Sequence, residues 1–266
     1  MARRRRGRAK DAEKKPLAIV VRHCHGLAEF GACFEIQRAV WGSADADLTP
    51  LPVFVVAAET GGQVLGAFAE DRMVGFTLAL AGVRGRAPFL HSHMTAVLEA
   101  WHDRGIGRSL KLLQREDALS RGIELVEWTF DPLQIKNGYF NLVRLGAIAR
   151  RYVANMYGVT SSPLQAGLPT DRLVAEWQLR SARVRRAVAA RPERKRAKAR
   201  GRGKVVRIRV PAELAALRQT RPEEAARLQA EIRQEFEHWL NLGYAATSVT
   251  VAGQGGEYLL QPWPKG

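Results

Sequence analysis

Two cysteines in 266 residues, Cys24 and Cys33, are too few for a disulfide scaffold and fit a reducing compartment. Paired Cys-x-x-Cys spacing is missing, so His23-Cys24-His25 with Cys33 lacks the pattern of a zinc centre, and no metal is expected. No apolar run approaches the roughly 18 residues that a membrane helix needs. The arginine-rich start, Met1 to Arg6, is not followed by the apolar stretch of a secretory signal. The expectation is a cytoplasmic protein without membrane contact, long enough for a large core.

Acidic residues are also short, 26 against 42 Lys and Arg, for a net charge of +16. The surplus is uneven. Residues 1–15 hold eight basic and two acidic residues, and residues 180–209 hold fourteen and one. These blocks carry +6 and +13, so the rest of the chain is slightly acidic. A basic tail (1–15) and a basic linker (181–204) therefore flank near-neutral folded parts. Neither contains Phe, Tyr or Trp, so base stacking has no platform. Nonspecific electrostatic contact with nucleic acid or a partner is the most they imply.

The chemistry-bearing stretch runs from Thr95 to Leu110: Thr-Ala-Val-Leu-Glu-Ala-Trp-His-Asp-Arg-Gly-Ile-Gly-Arg-Ser-Leu. It reads as a strand end, a short connection, then Gly105 and Gly107 opening a helix. Such a helix start offers bare N–H groups to a phosphate. Ile106, Leu110 and Leu113 recur at helical spacing, Gly122 ends the run, and Glu124–Phe130 reads as the next strand. A dinucleotide loop would need glycine at Leu110, and a P-loop would need Gly-Lys-Ser/Thr. Neither is present.

This strand–glycine loop–helix–strand order resembles the acyl-CoA-binding motif of the GNAT N-acetyltransferases, (Gln/Arg)-x-x-Gly-x-(Gly/Ala). Ala96-Val97 stands at the strand end, Gly105 and Gly107 fill both glycine slots, and His102 occupies the first slot. The segment from Trp128 to Leu142 resembles an uncharacterised branch of predicted acetyltransferases. The likeness covers roughly residues 16–180 and implies an α/β (α+β) fold: a mixed, mostly antiparallel sheet flanked by helices.

The order of elements agrees. Strands are expected at Leu17–Arg22, Gln63–Ala69, Met73–Leu80, Pro88–Val97, Glu124–Phe130, Ile148–Tyr157 and Leu173–Leu179. Helices follow Leu27–Trp41 and the glycine loop, with a further one over Asn137–Leu145. Residues 205–266 form a smaller strand–helix–hairpin unit. Its helix begins at a capping box, Thr220-Arg221-Pro222-Glu223, and ends before Gly243. That order mimics Glu124–Leu179, so the unit is either a degenerate half of the preceding domain or a plain α+β appendage.

The resemblance implies acyl transfer, with acetyl-CoA or another acyl-CoA as co-substrate and an amine as acceptor. The backbone of Thr95, Ala96 and Val97 would hold the pantetheine and thioester. Asp103, Arg104, Gly105, Ile106, Gly107, Arg108 and Ser109 would wrap the pyrophosphate, and Asn137 would contact CoA. The base is Glu127, a carboxylate mid-strand whose burial would raise its pKa, or else His93. The family's acid, a Tyr four residues before Gly146, is Leu142 here, and Tyr139 is the substitute one turn earlier. Partners in view are acyl-CoA, the amine, nonspecific nucleic acid and a second copy of the chain. The alternative is a noncatalytic acyl-CoA-binding or regulatory protein.

Overall fold

The computed structural model describes residues 18–42, 48–158, 167–190, 204–253 and 255–264. In chain order these form β1 (Ile19–His23), α1 (Gly26–Trp41), α2 (Leu51–Glu59), β2 (Gln63–Ala69), β3 (Arg72–Arg84) and β4 (Ala87–Val97). Then come α3 (Ile106–Ser120), β5 (Leu125–Phe130), α4 (Ile135–Tyr139), β6 (Ile148–Val153), β7 (Arg172–Gln178) and α5 (Ala182–Ala189). The remainder is β8 (Val206–Val210), α6 (Leu214–Thr220), α7 (Pro222–Asn241), β9 (Tyr244–Ala252) and β10 (Gly255–Pro262). A 3-10 turn at Glu99–Trp101 leads towards α3, and a π-helical turn at Phe140–Arg144 prolongs α4. The strands make one sheet in the order β1-β2-β3-β4-β5-β7-β6-β9-β10-β8. Neighbours are antiparallel except β4 and β5, which run parallel.

Burial explains the strand sequences. β2 is buried along its whole length because Val64 and Phe68 pack with α1 and α2, while Leu65 and Ala67 pack with α3. A strand covered on both faces reads as an apolar run, not an alternation. The mixed parallel and antiparallel sheet flanked by helices is the architecture that the resemblance implied.

Several local expectations change. Residues 51–59, assigned no element from sequence, form α2, whose β-branched run (Val53, Val55, Val56) masks a helix fixed by burial of Phe54 and Ala57. Residues 182–189 of the basic linker are helical: Ser181 Oγ caps α5 by accepting from the Val184 N–H at 3.2 Å. The capping box at Thr220 does not form, because that hydroxyl donates to the Ala216 carbonyl at the end of α6 (3.0 Å). Strand β6 stops at Val153, short of Tyr157. The basic tail and residues 191–203 lie outside the described residues.

The C-terminal unit extends the sheet with a strand order that mirrors that of the preceding segment. β5, α4, β6 and β7 give the strand order β5-β7-β6, and β8, α7, β9 and β10 give β8-β10-β9. The two segments meet where β6 pairs antiparallel with β9, at Ala149 opposite Ala246. Each alanine follows a Leu-Gly step, Leu145-Gly146 and Leu242-Gly243, with both glycines left-handed at φ 78° and 83°. Each also precedes one residue that the ladder skips, Arg150 in β6 and Thr247 in β9.

Arg183 of α5 ties the two segments together, donating to the carbonyls of Leu142 (2.8 Å), Gly146 (2.9 Å) and Thr247. Arg183→Ala removes three charge-assisted hydrogen bonds and is expected to lower unfolding free energy by about 3 kcal/mol in urea melts. A change below about 0.5 kcal/mol would show that β6–β9 pairing holds the seam alone.

Candidate active site

β4 and β5 pair at only two positions, Leu90 with Val126 and His91 with Glu127. Beyond them the strands part. β4 continues to Val97 against β3 on one side, leaving its other edge without a strand to accept or donate hydrogen bonds. A cleft of about 1100 Å³ fills the opening and reaches the N-terminus of α3. The β3–β4 ladder shifts register between Leu78 and Ala79, skipping His93 on β4. This bulge brings the His93 ring into the cleft, with Nε2 3.3 Å from Thr49 Oγ1.

The mouth is built from the glycine loop. Asp103 and Gly105 take left-handed conformations, φ 59° and 77°, and turn the chain into α3. Ser109 N–H is the donor to Gly105 O (3.0 Å), so the N–H groups before it lack helical acceptors. Gly107 has ordinary helical space around it: a Cβ there would meet only Val97 Cγ2, at 4.0 Å. Nothing among the described residues requires glycine at 107. A ligand against the helix start would.

Of the predicted cofactor contacts, Thr95, Val97, Asp103, Gly105, Ile106, Gly107, Arg108 and Asn137 line this cleft. Three others turn elsewhere. Ala96 packs into the core beside α1 and α2, Arg104 lies over the Trp101 ring at 4.6 Å, and Ser109 begins the helical ladder. His102, in the slot of the family's Gln or Arg, folds back and donates from Nε2 to the Val97 carbonyl (2.9 Å). Arg108 is partly committed to the Val188 carbonyl at 2.5 Å. Five cations line the cleft, Arg108, Lys111, Lys136, Arg144 and Arg172, against Asp103 and Asp131. Asp131 is itself held by Arg218 (3.0 Å) and by the Leu133 N–H (2.8 Å). The remaining surplus suits a polyanion.

The structure sets the candidate base and acid in surroundings that differ from those expected. Glu127 is only 4% exposed and faces a separate cavity of about 390 Å³. Arg84 holds it bidentately at 2.6 and 2.7 Å, and Arg151 adds a third contact at 3.0 Å. Burial opposes its charged form, but the Arg84 hydrogen bonds and the charges of Arg151 and Arg84 outweigh that, keeping the carboxyl below its ordinary range. The expected rise towards neutrality is absent because alternation alone cannot reveal cations arriving from β3 and β6. Tyr139 is exposed and outside the cleft lining. Tyr157 lines it instead, its hydroxyl 2.8 Å from Thr129 Oγ1 and its ring under Arg172. Its place beyond β6 gave no sequence signal.

Lys111 was also missed. A lysine inside the Ile106–Leu113 stripe reads as a solvated residue, yet it is 4% exposed. Its Nζ donates to Ser92 Oγ (2.7 Å) and Gln114 Oε1 (3.0 Å) and sits 4.2 Å over the Trp128 ring.

No protein-family model matches the chain, and no curated protein matches it in sequence. Solved structures do match. The ribosomal-protein-S18-alanine N-acetyltransferase of Escherichia coli is 13% identical, with a TM-score of 0.50 over 62% of this chain and 96% of that one. The ribosomal-protein-alanine N-acetyltransferase of Brucella melitensis is 18% identical, with a TM-score of 0.46 over 59% and 98%. Ard1 of Thermoplasma volcanium is 12% identical, with a TM-score of 0.47 over 60% and 96%. The parted parallel strands, the glycine-opened helix and the first of these superpositions agree: the chain has the fold of the GNAT N-acetyltransferases.

Proposed function

We propose that the protein is a CoA-dependent N-acyltransferase that passes an acyl group from acyl-CoA directly to an amine. The observation that carries this reading is the parting of β4 from β5 beside a helix start whose glycine has no role in protein packing. The N–H groups at Gly105–Arg108 and the surrounding cations would take the pyrophosphate. The open edge of β4 through Thr95, Ala96 and Val97 would pair with the pantetheine amides and offer an N–H to the thioester oxygen. Asn137 lines the same cleft.

In this reading His93 accepts the proton of the attacking amine. Desolvation within the cleft lowers its pKa from the ordinary imidazole value, which favours the neutral, proton-accepting ring at pH 7. The amine forms the new C–N bond, the C–S bond breaks, and Tyr157 is the hydroxyl placed to donate a proton to the thiolate. The reading is tested by calorimetric titration with acetyl-CoA and free CoA, followed by thiol release across a panel of amines. Micromolar binding with turnover of some amine is expected; absence of binding by both ligands overturns it.

Once an acceptor is found, His93→Gln should lower kcat by about 100-fold with little change in CoA affinity. The acid limb of the wild-type pH–rate profile should lie below the ordinary imidazole pKa and vanish in the variant. An unchanged profile would remove His93 from the proton path.

A further inference from the structure

Lysine is almost never fully buried unless paired, because desolvating an ammonium is costly. Lys111 breaks that rule inside the cleft. Its partners, Ser92, Gln114 and Trp128, are all neutral, and among the described residues no carboxylate lies within ion-pair distance of it. Asp117, on the same helix, is already held by Gln63 at 2.5 Å, Arg121 at 2.7 Å and His23 at 3.2 Å. Burial pushes the Lys111 ammonium down to about 7, because no neighbouring charge among the described residues offsets its desolvation.

The position is specific. Ser92 and Trp128 are the residues that immediately follow the last paired positions of β4 and β5, His91 and Glu127. Lys111 Nζ therefore stands at the apex of the parting. Gly105–Gly107 lies at the other end, at the start of the same helix. A thioester laid along β4 with its pyrophosphate at the glycine loop directs its acyl end towards that apex. A methyl group there would leave the cation uncompensated; a carboxylate would complete it.

Resting on the acyl-CoA reading above, we propose that the acyl group carries its own terminal carboxylate, which pairs with Lys111 Nζ: the donor is the CoA thioester of a short dicarboxylic acid. The buried lysine is then the specificity element for the donor, and the neutral Ser92 and Gln114 orient its amine while leaving room for the anion.

Calorimetric titration of the full chain at pH 7 with succinyl-CoA, the equally long but uncharged butyryl-CoA, acetyl-CoA and free CoA decides this. Succinyl-CoA is expected to bind about tenfold or more tighter than butyryl-CoA, the range of a charge-assisted hydrogen bond. Lys111→Met should abolish or reverse that order. Equal binding of succinyl- and butyryl-CoA by the wild type overturns the proposal, whatever the variant does. If free CoA and acetyl-CoA bind while no preference appears, only this inference falls. If no CoA compound binds, the acyltransferase reading falls with it.

Discussion

Removing Arg84 and Arg151 together, each to alanine, is expected to destabilise the fold at pH 7 by about 3 kcal/mol, while Glu127→Leu changes stability by about 1 kcal/mol or less. The asymmetry follows from which partner is buried. Glu127 is 4% exposed, whereas Arg84 and Arg151 are 54% and 50% exposed. Without the arginines, a buried carboxylate is left facing Glu176, its cross-strand partner on β7, with little water to solvate it. Without the carboxylate, two half-exposed guanidiniums swing into solvent, and leucine fills the space. Urea melts of the double variant, of Glu127→Leu and of the triple variant close the cycle; equal losses in the first two would contradict this account.

The sign of the pH dependence separates the variants further. In the wild type the folded pKa of Glu127 lies below its unfolded value. Its contribution is then fully present above the ordinary carboxylate range and is lost as pH falls through the folded pKa. In the arginine double variant burial is opposed only by the charge of His91, the smallest of the lowering influences, and raises the folded pKa. The penalty should then be relieved on acidification, so that the variant loses less relative to the wild type at pH 4 than at pH 7. Parallel stability curves across that window would mean that the carboxylate reaches water despite its burial.

Glu127 also shows where sequence reading stops. Alternation on β5 correctly separated Val126, Trp128 and Phe130, which join the core, from Glu127. Both the glycine-opened helix and the strand feeding it were legible, because backbone freedom and apolar period are local properties. The partners of Glu127 were not, since Arg84 comes from the β3 end and Arg151 from β6, joined only by the sheet. His93 could be named as a titratable strand residue, but the bulge that turns it into the cleft depends on the β3 register. Lys111 lay in plain view within the helical stripe and was hidden by its residue type, which ordinarily marks a solvated face. Tyr157 and Thr129 meet only because β6 and β5 flank β7. Local periodicity thus yields the scaffold, while the groups that convert it into a site are set by register and topology. The C-terminal unit sits between these extremes: its strand–helix–hairpin order is readable in sequence, but the antiparallel contact of Ala149 with Ala246 is not.

Gly107→Ala is expected to leave the melting temperature unchanged or raise it, yet to weaken CoA binding by about tenfold, and Gly107→Trp should weaken it by about 100-fold or more. The stability half of this expectation comes from the empty space at the site. A Cβ at 107 meets only Val97 Cγ2 at 4.0 Å, an ordinary van der Waals contact, and alanine restricts the unfolded chain more than glycine does. Helix propensity adds up to about 1 kcal/mol in favour of alanine, less in a first turn. The binding half comes from the ligand: a phosphate accepting hydrogen bonds from first-turn N–H groups must approach the backbone to about 2.9 Å, and a methyl group beside those donors obstructs it. Gly105→Ala supplies the contrast. Its φ of 77° is left-handed, so alanine there costs about 1 kcal/mol or more of stability through backbone strain, with no neighbour within 4 Å to blame. Thermal melts and calorimetry on the two alanine variants therefore read two different things. A stable Gly107→Ala protein that binds CoA as the wild type does would move the phosphate site away from the start of α3. A stable one that has lost binding ties that glycine to the ligand, since the fold makes no demand for it.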